Sequence, residues 1–112
     1  MSGGDWSPSG RGAALSPQGG EIGARGEVGV VLGGVRRRVC LTLGALAEIE
    51  TGLAVEGLAA AAERMKALSA RDLIVVLAAV LRGGGETAPD VAGVEPREAA
   101  RAVAAAFEAA AR

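Results

Sequence analysis

The chain has 112 residues, room for one small domain but not for a cofactor domain beside a substrate domain. Half of the residues are apolar, yet 25 residues are Ala and only Trp6 and Phe107 are aromatic, so the core is expected to be thin. Twelve basic residues against thirteen acidic ones give a formal charge of −1, and His and Tyr are absent; this argues against a basic phosphate-binding surface and removes the commonest general base and metal ligand.

Residues 1–26 hold eight Gly and two Pro with no periodic apolar run, so they are expected to form a disordered tail, with Trp6 incidental to it. They also lack the apolar h-region of a secretory signal. From Glu27 the texture changes, and residues 27–112 read as one domain. Val28, Val30 and Leu32 alternate up to Gly33-Gly34, and Val35, Val39 and Leu41 follow. A two-residue Gly-Gly loop favours a β-hairpin because both central positions can take positive φ. Pairing Leu32 with Val35 puts Val30 opposite Arg37 and Val28 opposite Val39. One face then carries Val28, Val30, Leu32, Val35, Val39 and Leu41, interrupted by a snorkelling Arg37. The other carries Glu27, Val31, Arg36, Arg38 and Cys40.

Thr42 is placed to cap a helix through Leu43, Leu46 and Ile49 that ends at Gly52 in a left-handed conformation. Val55, Leu58, Ala62, Met65 and Leu68 repeat at helical spacing and predict a second helix over 55–68. Ser69 with Asp72 forms a capping signature for a third helix, 70–82, which is apolar nearly all round and therefore central, and which stops at Gly83-Gly84-Gly85. Pro96 opens a fourth helix with Ala99, Val103, Ala106, Phe107 and Ala110 as its buried stripe. The fold class is thus α+β, an N-terminal β-hairpin followed by a small bundle of about four helices.

Few groups could carry chemistry. Glu48 and Glu50 stand two apart on a helix and point to different sides, so they read as a solvated face and a helix-end charge. Gly23, Gly26 and Gly29 precede a hairpin and not a helix N-terminus, and Gly83 to Gly85 follow a helix, the wrong end of its dipole for an anion. Cys40 is the single cysteine and reads as a buried, inert thiol, outside any disulfide or multi-cysteine zinc site. Ser69 has no base to activate it. Arg36-Arg37-Arg38 is the one dense basic cluster; without aromatics to stack bases it reads as protection of an exposed strand edge and not as a nucleic-acid contact. The longest apolar run, Leu73 to Leu81, is nine residues, against roughly 20 for a bilayer span. The expectation is a non-enzyme without cofactor or metal, binding neither nucleic acid nor membrane. Its partner surface is expected at Val31, Arg36 and Arg38, with a homo-oligomer left open.

The order of segments carries a further signal. A Gly-turn hairpin is followed by Leu41-Thr42-Leu43-Gly44-Ala45-Leu46-Ala47-Glu48-Ile49-Glu50, a helix with Ala62-Glu63-Arg64, then Ser69-Ala70-Arg71-Asp72-Leu73 with an apolar run into Arg82-Gly83-Gly84-Gly85, and last Glu98-Ala99-Ala100-Arg101-Ala102-Val103. Over about residues 26–110 this resembles a small family encoded in the tail-gene clusters of gene transfer agents and related siphophages. The resemblance implies a phage-type tail assembly chaperone that binds the tape-measure protein and assists tail tube proteins in the bacterial cytoplasm. The same family has also been labelled a tail tube component, and that alternative implies a structural subunit in the tail of a phage-like particle. No catalytic residue is carried over by the likeness.

Overall fold

The computed structural model describes residues 26–112. The expectations for Trp6 and for the leader up to residue 25 lie outside the described residues. Strand β1, Val28–Leu32, and strand β2, Val35–Val39, pair antiparallel with Leu32 opposite Val35, Val30 opposite Arg37 and Val28 opposite Val39, the register expected from the alternation. Gly33 and Gly34 have φ of 61° and 82°, the left-handed pair that lets a two-residue loop follow the twist of the strands. Four helices follow: α1, Leu43–Leu53; α2, Gly57–Arg64, with a 3₁₀ turn over Met65–Ala67; α3, Ala70–Gly83; and α4, Pro96–Ala110. The architecture is α+β, a hairpin followed by a helical bundle.

Helix α3 sits at the centre, packed against α1, α4 and β2, while α4 packs on both α3 and β1. Its Val76, Leu77, Val80 and Leu81 are fully buried, with Ile49 from α1 and Val39 from β2. Alanine fills much of the remaining interior, at Ala45, Ala61, Ala79, Ala99, Ala102 and Ala106. Small side chains allow helices to approach closely, so a thin core is offset by short distances between backbones. Thr42 and Ser69 cap α1 and α3, their hydroxyls accepting from the N–H groups of Ala45 and Asp72.

Several side chains depart from their expected places. Val35 lies on the inner face but is exposed, because α4 covers chiefly β1 and leaves the turn end of β2 open. Leu43 is exposed as well, since the buried line of α1 runs through Ala45, Ile49 and Leu53 and Leu43 lies off it. Helix α1 ends one residue later than expected, and the left-handed residue is Ala54, at φ 57°, in place of Gly52. Gly52 is instead a contact glycine: a Cβ there would stand 2.5 Å from Val75 Cγ1. The pairs Gly52–Val75 and Glu48–Arg82 show that α1 and α3 run antiparallel.

The second helix is shorter than the expected 55–68. Glu56 is extended, and the Glu50 carboxylate accepts a 2.6 Å hydrogen bond from the Gly57 N–H, capping α2 from α1. Ala61 is buried in place of Ala62, and Leu58 is exposed. At the far end Arg64 donates to the Leu53 carbonyl at 3.0 Å and to Asp72 at 2.9 Å, holding α2 between the end of α1 and the start of α3. In α3, Ile74 is exposed and Leu73 half-buried, so the apolar circumference is only partly covered. In α4, Ala102 joins the buried stripe, Phe107 is half-buried and Ala110 is exposed at the end.

The glycines after α3 do more than stop it. A Cβ on Gly83 would lie 2.1 Å from the Cys40 carbonyl oxygen, and one on Gly84 2.2 Å from that of Arg38. Beside them the Cys40 N–H donates to the Val80 carbonyl at 2.9 Å. The end of α3 therefore meets the end of β2 backbone to backbone, an approach closed to any larger residue. Gly84→Ala is expected to destabilise by about 1–3 kcal/mol, because rigid backbone must shift. Gly44→Ala, in α1 with its Cβ at an ordinary 3.8 Å from Thr42, is expected to be neutral or to stabilise by up to about 1 kcal/mol. Urea melts of the two variants check both signs.

Candidate functional site

The three residues expected to meet a partner share one surface. Val31 stands opposite Arg36 and Gly29 opposite Arg38, so the period of two places Gly29, Val31, Arg36 and Arg38 together on the outward face of the hairpin. Val31 is 53% exposed, an apolar side chain left in water between charged neighbours. Arg38 pairs with Glu27 at 3.3 Å, with its side chain 69% exposed, so solvent screens most of the attraction. Arg36 reaches across the sheet: one of its guanidinium nitrogens lies 3.1 Å from the place where a Cβ on Gly29 would stand. Glycine at 29 thus makes room for that guanidinium.

Arg37 points to the other face and has a different task. Its Nε and Nη2 donate to the two carboxylate oxygens of Glu86 at 2.9 and 2.7 Å, and its Nη1 donates to the Asp90 carbonyl at 3.3 Å. This forked pair ties the hairpin to the loop between α3 and α4. The hydrogen bonds from Arg37 hold the Glu86 carboxyl below its ordinary range, and Glu86 in turn raises the Arg37 guanidinium. A simple snorkelling arginine is therefore corrected to a bridge. The arginine triplet was read as guarding an exposed edge, and α3 covers that edge at Arg38. It lies on β2, whose end is covered by α3, while β1 carries no charge at all.

Other polar groups serve the scaffold. Glu48 accepts from Arg82 at 2.7 and 3.0 Å across α1 and α3. Cys40 is buried, and that burial, helped by the Glu27 charge, pushes its thiol up and away from a reactive thiolate. Among the described residues no group of three or more Cys, Asp or Glu side chains is placed to hold a metal ion, and no helix is long and apolar enough to cross a membrane. Two contacts near the hairpin were not expected from the sequence. Glu86 holds Arg37, and Glu98 of α4 accepts the Gly33 N–H at 2.8 Å, pinning the turn. Both act over long sequence separations that local spacing does not register.

Fold and surface together give a small α+β domain whose hairpin presents an outer face of exposed Val31 with Arg36 and Arg38. The chain matches the family described as phage tail tube protein, GTA-gp10, over residues 25–112, more than half its length, and it belongs to that family. A phage or gene-transfer-agent tail is thereby its setting. Comparison with curated proteins and with solved structures gives no match.

The Arg37–Glu86 bridge sets a pH dependence. Glu86 has a lower pKa folded than unfolded, so its contribution is complete above the ordinary glutamate value of about 4.3 and is lost as pH falls through the folded value. Glu86→Gln should cost about 1 kcal/mol at neutral pH, and the gap to the native protein should shrink toward pH 3. Urea midpoints at the two pH values test this; an undiminished gap in acid would mean that the bridge is not the cause.

Proposed function

We propose that this protein serves construction of the tail tube in a phage-like particle of the gene transfer agent type, as an assembly factor that holds a segment of another tail protein. The sequence resemblance points to the tape-measure protein and tube proteins as partners, and the hairpin face with Val31, Arg36 and Arg38 is the proposed contact. One geometric observation carries this reading over a building block of the tube wall. A ring made by continuing a sheet from subunit to subunit needs two open edges per subunit. Here the end of α3 lies across the end of β2, whereas among the described residues the outer edge of β1 meets no backbone partner. A single open edge suits one partner, not a closed circle.

A second reading is favoured by the family description, which names the tube itself: a structural subunit that stays in the particle. On that reading the helices, and not the sheet, supply the contacts between copies. Both readings assign adhesion and not chemistry. Quantitative mass spectrometry of purified particles separates them. An assembly factor is present in the producing cells and depleted from particles, whereas a resident subunit is found in constant, multiple-copy ratio to the other tube proteins.

A further inference from the structure

We infer that α2 and the 3₁₀ turn behind it form a lid that opens as one unit from the end of α1 while the remainder of the fold stays closed. The lid lies among the helices and does not depend on the hairpin surface proposed above. Helix α2 has eight residues, fewer than the ~12–15 that even a favourable helix needs to stand alone in water, so it must be held by its surroundings. Yet Ala61 is its one buried residue and the 3₁₀ turn has none, against three in α1, five in α3 and four in α4. An alanine removes little apolar area from water, so hydrophobic burial fastens this segment least.

Polar ties make up the difference, and they stand at its two ends. At the front the Glu50 carboxylate accepts from the Gly57 N–H at 2.6 Å; at the rear Arg64 donates to the Leu53 carbonyl at 3.0 Å and to Asp72 at 2.9 Å. The Arg64 side chain is 39% exposed, so water can take the place of its partners at small cost. All three acceptors belong to α1 or to the first turn of α3, which are held independently through Ile49, Leu77 and Val80. The chain can also turn at either end of the lid. In front, Ala54 at φ 57° is the one non-glycine residue in the left-handed region among the described residues, a conformation unfavourable to alanine that an open lid releases, and Gly57 follows at φ 87°. Behind, Leu68 and Ser69 are extended, so α3 keeps its cap from Ser69 when the lid lifts.

The lid meets the start of α3, whereas the glycine junction with β2 is at its end, so one can part without the other. Because α2 packs on α1, lifting it uncovers Leu53, only 3% exposed when closed, and frees Ala61 with the half-buried Val55 and Met65. That end of the domain then turns apolar.

The test is native-state amide exchange on the full ¹⁵N-labelled chain in low, increasing urea. The amides of Ala61, Ala62, Glu63 and Arg64 should share one opening equilibrium, at least about a hundredfold more favourable than that of Leu77 and Val80. Arg64→Ala should speed exchange at the other three about tenfold. Gly84→Ala, at the opposite end of α3, destabilises the closed and the open form alike, so it should speed exchange at Leu77 and Val80 and leave the α2 amides at their native rates. If that variant fails to fold, Val103→Ala in α4 serves the same purpose. Faster exchange of the α2 amides in either variant would mean that α2 opens only when the whole domain unfolds, and would overturn the inference. So would α2 amides that exchange with unrelated free energies, which is fraying of single bonds, or an Arg64→Ala variant in which they exchange as before.

Discussion

The rest of the structure depends on the junction where the last turn of α3 meets the last residues of β2. A hairpin of two five-residue strands is marginal alone, and a helix as apolar as α3 has no stable place in water by itself. Each solves the other's problem only if they come within backbone contact. Gly83 and Gly84 permit this, since neither has a Cβ to strike the carbonyls of Cys40 and Arg38, and the Cys40 N–H bond to Val80 fixes the distance. The buried side chains then fall into place on either side: Val39 against α3, and Ile49 on the α1 side of the same helix.

That junction also divides the sheet into unlike halves. The end of β2 is engaged by α3, and the middle of β2 is tied by Arg37 to Glu86 and Asp90 in the following loop. Strand β1 is held from below by α4, and its turn by Glu98, but its outer edge meets no described backbone group. The outer face carries the exposed Val31, with the guanidinium of Arg36 lying over Gly29.

Much of this was legible in the sequence where the controlling contacts are short-range. The hairpin register follows from a Gly-Gly loop between alternating valines, the caps of α1 and α3 from Thr42 and Ser69, and the start of α4 from Pro96. The order of these segments was enough to point to a family of tail proteins. The shared face of Val31, Arg36 and Arg38 also follows from a period of two. What the sequence hid depends on contacts across the chain. Gly52 and Gly83 look like punctuation until a neighbouring helix or strand is placed beside them. Arg37 looks like a break in an apolar face until Glu86, 49 positions away, is brought to it. Val35 and Leu43 look like core because periodicity counts residues and cannot say where the covering element ends.

Native-state hydrogen exchange at Cys40 tests the central claim most directly. If the α3–β2 junction organises the fold, the Cys40 amide exchanges only by global unfolding, with the same free energy as the amides of Leu77 and Val80, and a mild denaturant lowers all three in parallel. A Cys40 amide that exchanges through local fraying, well ahead of the α3 core, would show that the hairpin is an appendage and that the junction does not hold the structure together.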